Sequence, residues 1–543
     1  MKKIKIIFFS LIILIGIFFR FYNLNWGAPF YFHPDERNII YSILQLSFSN
    51  LNPHFFAYGS VPIYIIFFID LLINKLKLPI DFNLVVLTGR FLSFLLSSLI
   101  LVLIFKVAKK IKNTRAALIT TIFASLSVGF IQFSHFLTFE TWLSFFYLLF
   151  LYLSLKQFEK NSFKNLVLTS VIFGLTVGIK IVAIPLSIIF IFVLLIKNFK
   201  NKIRFILYSL TFIFISLLVF LITNPFLILD TNSFMNSMHY ESSVALGTIP
   251  VFYTQEFFNT TPLIFQLFHV FPFLLNPILT LIFIFSFLYL IIKILKGRNI
   301  KYLILLLFLL ITIFSSDVFF VKWTRYAFLA LPFIYILIGI FIEKVYVLSL
   351  KKNTLKIASL STILLLFLIS FIFSFSYFKT VYLNFDTRIQ AANFLSLNAN
   401  SNTKILSETY DLGIIPFNNY FSNITLLNFY NLETDNNLQH ELPILVKNSN
   451  YVVLPSQRII KTRLNNAKLF PLGNIFYTNL VNGSLGYKLI YKTPCNIFCK
   501  ITYLGNPVFS YEETASVFDR PTVFIFKKIK EYKIEYYQSI LEQ

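Results

Sequence analysis

The chain has 543 residues, of which 57% are hydrophobic and only 13% are charged. A soluble globular protein has about 45–50% apolar and about 25% charged residues, so too few charges are present here to cover a soluble surface. The composition therefore indicates an integral membrane protein and excludes the disordered, collagenous, coiled-coil and disulfide-scaffold classes. The net charge of +24 comes from basic residues in short loops between apolar runs. This is the positive-inside pattern of a membrane protein and predicts no nucleic-acid partner.

The first apolar run follows Met1-Lys-Lys-Ile-Lys5 and ends at Phe19. No small-residue cleavage site follows it, so we expect an uncleaved first span whose N-terminus is cytoplasmic. Later runs have the length needed to cross about 30 Å of hydrocarbon. About eleven spans are predicted, at residues 6–21, 84–106, 116–133, 141–156, 165–179, 181–196, 205–223, 276–294, 302–315, 326–346 and 357–378.

Basic clusters support this topology, because those after residues 105, 155, 196, 292 and 350 all fall on the cytoplasmic side. The opposite loop, 224–262, contains no Lys or Arg. An odd number of spans places the C-terminus outside the cytoplasm. The segment around Gly178–Ile181 is compatible with either one long helix or two short ones.

Two regions lie outside the predicted spans. The first outer loop, 22–83, contains an apolar stretch at Val61–Asn74 that is too short to cross and suits the membrane interface. The tail from about 380 to 543 is rich in Asn, Ser, Thr, Asp and Glu. It contains one helical stretch and several strand-like runs, so we predict an extracytoplasmic α/β domain at 380–543. These elements are Thr387–Leu397 (helix), Lys404–Glu408, Tyr451–Pro455, Tyr487–Tyr491 and Thr522–Phe526.

The only two cysteines, Cys495 and Cys499, lie four residues apart in this tail. On an oxidising side of the membrane they could form a disulfide, and they could equally be buried apolar residues. With no histidine nearby they make a poor zinc site.

Ionisable residues near the outer ends of the spans are candidates for function, because charge close to the membrane interior is costly. This group mixes carboxylates with isolated cations, as sugar or phosphate transfer at the membrane boundary requires. A proton relay would instead favour acids and histidines in the middle of the spans. The group comprises Asp35, Glu36, Arg90, Glu140, Lys180, Asp230, Glu241, Glu256, Asp317, Lys322 and Arg325.

The most informative motif is His33-Pro-Asp35-Glu36 in the first outer loop. One interpretation places the two acids in the first turn of a helix, where carboxylates are favoured. The other makes one carboxylate the general base that removes a proton from an acceptor hydroxyl during sugar transfer. Two adjacent acids cannot easily face one pocket, so the second would orient the first or bind substrate.

A second motif is Lys322-Trp323-Thr324-Arg325-Tyr326, at the outer start of a span. Lys322 and Arg325 are three residues apart and share a helical face. They could lie at the interface beside aromatic residues. They could also clamp a lipid phosphate, since fixed cations stabilise the charge of such a leaving group.

The ordered set of motifs resembles the GT-C membrane glycosyltransferases, in particular the dolichyl-phosphate-mannose–protein mannosyltransferase-like and aminoarabinose transferase-like families. The resemblance covers roughly residues 1–380. The motifs that carry it are His33-Pro-Asp35-Glu36, Thr88-Gly-Arg90-Phe-Leu-Ser93, Gly174 to Lys180 with Pro185, Asn224-Pro-Phe with Asp230, and Lys322 to Tyr326 with Pro332.

This resemblance implies an all-α transmembrane GT-C catalytic domain at residues 1–379. It implies inverting transfer of a sugar from a polyprenyl-phosphate donor to a hydroxyl of a lipid, glycan or protein, on the outer face of the plasma membrane. Asp35 is then the expected base, supported by Glu36. Glu140 replaces an Asp that the family often has at the start of the fourth span. The expected substrate contacts are Arg90, Glu140, Lys180, Lys322, Arg325 and Tyr326.

No β-trefoil insert is evident, which argues against a close relationship to the protein O-mannosyltransferases and leaves the acceptor open. No cofactor is predicted. A divalent metal held by His33, His54 and Glu140 is conceivable, but no tight ligand spacing supports it.

Two other functions are considered. A transporter or flippase of lipid-linked sugars would show inverted repeats and polar sites in mid-membrane, and neither is visible. A non-catalytic assembly protein would not need the Asp35, Glu36 and Arg325 set.

Overall fold

The computed structural model describes residues 2–249, 251–297 and 299–541. The described residues form two compact units. The first contains those of Met1–Leu24, Asp35–Ile249 and Asn259–Phe375, and the second contains those of Asn25–Pro34, Pro250–Phe258 and Ser376–Gln543. The two short segments of the second unit come from loops between spans and are not anticipated by a single division at 379/380.

The regular elements described in the first unit are helices. In chain order its helices, including the two that cross into the second unit, are α1 (Lys2–Phe21), α2 (Pro34–Leu44), α3 (Ser60–Asn74), α4 (Phe82–Ile111), α5 (Thr114–Ser125), α6 (Val128–Ser134), α7 (Glu140–Glu159), α8 (Phe163–Ile179), α9 (Ser187–Lys197), α10 (Lys202–Thr223), α11 (Phe226–Leu229), α12 (Thr231–Leu246), α13 (Ile264–His269), α14 (Phe271–Leu274), α15 (Pro277–Gly297), α16 (Ile300–Ser316), α17 (Thr324–Ala327), α18 (Leu331–Ser349) and α19 (Asn353–Val381).

Five helical segments of the described chain are long and apolar enough to cross a membrane, and the bent pair α5–α6 adds a sixth. Six further apolar segments have 10–17 residues. Each of the eleven predicted spans overlaps a described helix or helix pair, although length and composition alone do not establish eleven crossings. The alternative left open at Gly178–Ile181 is decided, since α8 ends at Ile179 and a separate 3₁₀ turn begins at Ile181.

Helix α3 contains the apolar stretch that is predicted to lie at the membrane interface. It packs against α4 and α8 and buries seven of its residues, among them Asp70. The Asp70 carboxylate accepts a hydrogen bond from the Thr88 hydroxyl of α4 (2.6 Å). Helix α3 is too short for a span, and the face that carries its buried residues packs against neighbouring helices.

The bend between α5 and α6 is held by a fully buried arginine of α1. Arg20 donates to the carbonyls of Ser125 (2.7 Å) and Ala124 (3.0 Å) at the break, and to the hydroxyl of Ser97 (3.1 Å). The Ala124 carbonyl also accepts from the Ser127 N–H (3.2 Å). The guanidinium thus adds donors at a helix end, where carbonyls would be costly to bury alone. The bend directs α6 toward the segment 135–140, which reaches the candidate site.

The second unit is an α/β domain, as predicted. Its helices are α20 (Thr387–Ser396), α21 (Ile415–Asn418), α22 (Asn436–Asn448), α23 (Arg458–Asn465), α24 (Pro471–Val481), α25 (Ile497–Thr502) and α26 (Ile534–Leu541). Its strands are β1 (Ile405–Glu408), β2 (Ile424–Leu427), β3 (Tyr451–Leu454), β4 (Tyr487–Lys492) and β5 (Phe524–Lys528). They form one sheet in the order β2-β1-β3-β5-β4.

Strands β2, β1 and β3 are parallel, while β5 is antiparallel to both β3 and β4. Buried residues of β1, β3 and β5 contribute to an apolar core on each face of the sheet. Four of the five strands were predicted. The missing one is β2, whose middle two residues are exposed, whereas the equally short β1 and β3 are buried throughout. Neither a continuous buried run nor a regular alternation therefore marks β2 in the sequence. Cys495 and Cys499 form a disulfide beside α25.

One buried carboxyl gives this domain a pH-dependent stability. Glu408, at the end of β1, is fully buried and accepts a hydrogen bond from the Tyr477 hydroxyl. Burial raises the pKa of Glu408 to about 8, although the Tyr477 hydrogen bond and nearby arginines act in the opposite direction. The folded state therefore holds this proton more tightly than the unfolded chain, whose Glu has a pKa of about 4.3.

The domain should consequently lose stability as the pH rises from about 5 through about 8. We expect Glu408→Gln, which keeps the acceptor for Tyr477, to abolish this loss. Hydrogen exchange of β1 peptides in the full chain tests it, with wild type and variant compared at equal pH so that intrinsic exchange cancels. The variant should be several-fold better protected at pH 8 and about equal to wild type at pH 5. Equal protection at both values would contradict the prediction.

Candidate active site

A cavity of about 730 Å³ lies within the first unit. Its wall is mostly apolar, with contributions from the loop before α3, the start of α7, the break between α8 and α9, the middle of α12 and the residues before α18. Its charged lining residues are Glu140, Lys180, Glu241 and Arg325. Three of these four were predicted as substrate contacts, as was a further lining residue, Tyr326.

Lys180 occupies the break between α8 and the following 3₁₀ turn. Its ammonium lies 4.6 Å from the ring centre of Tyr58 and 5.2 Å from that of Tyr326. Such contacts with aromatic faces stabilise a cation without neutralising it. The charge therefore remains attractive to an anion that enters the cavity.

Backbone contacts between the 52–60 loop and the end of α8 fix this arrangement. The Gly59 N–H donates to the Ile179 carbonyl (2.9 Å), and the Ser60 N–H donates to the Asn224 side chain (2.7 Å). A Cβ on Gly59 would lie 2.0 Å from the Gly178 carbonyl oxygen, so only glycine allows this approach. The Asn224-Pro motif thus positions Tyr58 and Lys180.

Arg325, in α17, connects the cavity to the first outer loop. It lines the cavity and forms an ion pair with Asp35, in the first turn of α2. Its guanidinium also lies 4.2 Å from the ring centre of Trp323. Asp35 is therefore both a helix-terminal residue and a neighbour of a cavity cation, so the two interpretations of His33-Pro-Asp35-Glu36 are compatible.

Glu140 is the first residue of α7 and is buried. One carboxylate oxygen, Oε1, accepts a hydrogen bond from the Tyr58 hydroxyl (3.2 Å), whereas Oε2 has no partner among the described residues. Burial, and then the Glu140 charge, raise the pKa of Tyr58 well above its usual value, so this hydroxyl stays protonated and donates. Glu140 therefore has one acceptor oxygen available to a molecule in the cavity.

Arg90 does not line the cavity, contrary to its predicted role as a phosphate contact. It is fully buried, and it donates to both oxygens of the buried Glu36 (2.9 and 2.7 Å) and to the Leu24 carbonyl (2.8 Å). Glu36 also accepts from the Leu137 N–H (2.6 Å). This pair joins α2, α4 and the 135–140 segment, so it positions both Asp35 and Glu140.

Lys322 is likewise absent from the cavity wall. Its side chain is buried, and its ammonium donates to the Phe320 carbonyl (2.5 Å). Desolvation lowers the pKa of Lys322 to about 8. Because Lys322 precedes α17, it does not share a helical face with Arg325, and the predicted two-residue clamp is reduced to Arg325.

Glu241, in α12, was noted as an outer charge but not predicted as a site residue. It lines the cavity together with Lys180 and Arg325. Burial raises the pKa of Glu241, while the charges of Lys180 and Arg325 act in the opposite direction. The outer loop 224–262 has no basic residue, and none of its motifs marked Glu241 as a site residue.

The conceivable metal set of His33, His54 and Glu140 does not form. The His33 ring packs against Phe518 at 4.5 Å, and His54 faces Asp230 at 3.8 Å. In residues 2–249, 251–297 and 299–541, no three His, Cys, Asp or Glu side chains are grouped so that they could hold a metal ion.

Residues 75–228 match the family model for dolichyl-phosphate-mannose-protein mannosyltransferase. The fold is similar to that of the oligosaccharyltransferase of Archaeoglobus fulgidus in its apo form, with a TM-score of 0.54, 12% identity and coverage of 96% of this chain and 88% of that chain. Residues 75–228 are therefore similar to the dolichyl-phosphate-mannose-protein mannosyltransferases, and the fold of the whole chain is similar to that of the archaeal oligosaccharyltransferase.

The oligosaccharyltransferase AglB from Archaeoglobus fulgidus, in complex with an inhibitory peptide and a dolichol-phosphate, has a TM-score of 0.53 and 12% identity, with coverage of 96% of this chain and 89% of that chain. ArnT from Cupriavidus metallidurans, bound to undecaprenyl phosphate, is more distant, with a TM-score of 0.43, 12% identity and coverage of 85% and 94%. No curated protein has significant sequence similarity to the chain. The predicted GT-C fold, a polytopic helical domain followed by an α/β domain, is confirmed.

Proposed function

We propose that this GT-C protein transfers a sugar from a polyprenyl-phosphate donor to an acceptor hydroxyl, with inversion, at the outer face of the membrane. The observation that carries this proposal is the composition of one cavity. Its wall is apolar, yet it presents the cations Lys180 and Arg325 next to the carboxylate of Glu140, and Arg325 is paired with Asp35.

The apolar wall suits the isoprenoid end of the donor, because burial of such surface contributes about 25 cal/mol per Å². The two cations suit its phosphate. They would stabilise the charge that develops on the phosphate as the sugar–oxygen bond breaks, which lowers the barrier more than it stabilises the bound donor. Tyr326, which lies beside Lys180 and Arg325, would keep both cations in place.

Asp35 is the proposed general base. The acceptor hydroxyl oxygen forms the new bond to the anomeric carbon, the bond from that carbon to the phosphate oxygen breaks, and the hydroxyl proton passes to Asp35. The polyprenyl phosphate leaves with the bonding electron pair. Because Arg325 lines the cavity and also binds Asp35, its guanidinium can hold the base close to the phosphate site, while the acceptor oxygen attacks the face of the anomeric carbon opposite the phosphate, as inversion requires.

Glu36 and Arg90 hold Asp35 in position without contacting substrate. Glu140, with one acceptor oxygen available, is the proposed ligand of a donor sugar hydroxyl. A structure of the archaeal oligosaccharyltransferase contains zinc and sulfate. Asp35 is paired with Arg325, Glu140 accepts from Tyr58, and no group of His, Cys, Asp and Glu side chains among the described residues forms a metal ligand set, so no step of the proposed reaction passes through a metal.

The sugar is a hexose in our proposal, by the resemblance to mannosyltransferases. A lipid, a glycan and a protein all remain acceptor classes; the archaeal enzyme has been solved with a tethered acceptor peptide. The disulfide between Cys495 and Cys499 supports an extracytoplasmic location for the C-terminal domain. The proposed cytoplasmic N-terminus rests on the basic residues around the predicted spans.

The test of the donor class is lipid analysis of the purified protein. We expect mass spectrometry to find a polyprenyl phosphate, free or glycosylated, bound to the wild type. Arg325→Ala should reduce its amount about tenfold or more, since a charge-assisted contact to phosphate is lost. Arg115→Ala is the matched control, because Arg115 is exposed at the start of α5. Equal amounts of bound lipid in the two variants would contradict the phosphate role of Arg325. A flippase would bind the lipid but would not transfer its sugar to an acceptor.

A further inference from the structure

The cavity holds more negative than positive charge when the neighbouring ion pair is included. Lys180 and Arg325 contribute two positive charges, while Asp35, Glu140 and Glu241 contribute three carboxyl groups. The roles proposed above account for Asp35 and Glu140. They leave Glu241 without a role, although a carboxylate that faces a phosphate site should weaken the binding of phosphate.

Glu241 lies on a helix that is weakly anchored along its length. Of the sixteen residues of α12, only Ser243 and Val244 are buried. Its C-terminal end is held at Gly247 (φ 78°), where a Cβ would lie 2.6 Å from the Phe320 ring. The Val321 N–H also donates to the Ala245 carbonyl (3.4 Å). Glu241 is therefore not one of the buried residues that anchor α12.

The reaction changes the charge of the lipid in the cavity. The donor is a phosphodiester with one negative charge. The released polyprenyl phosphate is a monoester, whose second ionisation has a pKa of about 6, so it carries nearly two charges at neutral pH. A fixed carboxylate repels the product more than the donor, because the Coulomb energy is proportional to the charge of each.

We propose that Glu241 is a discriminating residue that disfavours the doubly charged product and thereby promotes its release. This inference rests on the proposed function, since it assumes that the cavity binds a polyprenyl phosphate. Lys180 and Arg325 attract both lipids, and Glu241 sets the difference between them. Without it, the product would compete with new donor and would inhibit the enzyme.

The test compares two short probes that differ in one ionisation. Farnesyl phosphate is a monoester like the product, and methyl farnesyl phosphate is a diester like the donor. At pH 8, Glu241→Gln should tighten binding of the monoester about tenfold and that of the diester only about threefold, the scale expected when one like charge is removed at a protein surface. Glu441→Gln, on the exposed surface of α22, removes an equal charge outside the cavity and should change neither affinity.

The outcomes separate this inference from the proposed function. If the wild type binds neither probe, the polyprenyl-phosphate assignment itself fails. The wild type can instead bind both probes. If Glu241→Gln then binds neither probe more tightly than the wild type does, or binds both more tightly by the same factor, the role of Glu241 is refuted while the proposed function stands. A steady-state assay adds a second measurement. At the same donor concentration, farnesyl phosphate should inhibit the variant more strongly than the wild type.

Discussion

Asp35→Asn should lower the rate of sugar transfer by about 10²–10⁴-fold, which is the usual contribution of a positioned general base. Asn has nearly the shape of Asp and can still accept a hydrogen bond from Arg325, but it cannot take the acceptor proton. The bound polyprenyl phosphate should not decrease, because Arg325 and Lys180 are unchanged. Single-turnover transfer from a glycosylated polyprenyl phosphate, with lipid analysis of the same preparation, measures both quantities.

Asp435→Asn is a suitable control for that experiment. Asp435 is the N-cap residue of α22 in the second unit, and Asn caps helices about as well as Asp. This variant should transfer sugar at the wild-type rate. Glu140→Gln is the informative comparison, because Glu140 is a carboxylate that lines the same cavity. Full activity in Asp35→Asn with loss in Glu140→Gln would move the base to Glu140.

Arg90→Met should be among the most destabilising single substitutions in the helical unit. It leaves the Glu36 carboxylate buried without its cation, and removal of one partner of a buried ion pair costs about 3–5 kcal/mol. We expect a clearly lower apparent melting midpoint in detergent. The double variant Glu36→Gln/Arg90→Met should recover part of the loss, because no uncompensated charge remains.

This series also separates a positioning role from a phosphate contact. The fraction of Arg90→Met that stays folded should bind farnesyl phosphate with nearly the wild-type affinity, since Arg90 does not line the cavity. Arg115→Met, on the exposed start of α5, should change neither stability nor binding. A stable Arg90→Met that has lost phosphate affinity would restore the phosphate contact that the sequence predicted.

Hydropathy and residue type determined the class of this protein before any contact was known. The eleven apolar runs overlap described helices, because each run reflects a local requirement to satisfy the backbone in hydrocarbon. The α/β character of the tail also follows from local patterns. The motifs singled out Glu140, Lys180 and Arg325, which line the cavity, and Asp35, which is paired with Arg325. Charge is retained near span ends only where it has a partner or a function.

Only the tertiary structure decided how these charges are paired. Arg90, Lys322 and Arg325 are equivalent as isolated cations in a sequence, yet one binds Glu36, one donates to a carbonyl and one faces the cavity. Glu241 also lines the cavity, although no sequence motif includes its position. Pairing depends on which helices pack together, and a buried charge is stable only with its actual neighbours. Sequence spacing fixes the helical face of a residue, whereas packing of the bundle fixes what that face meets.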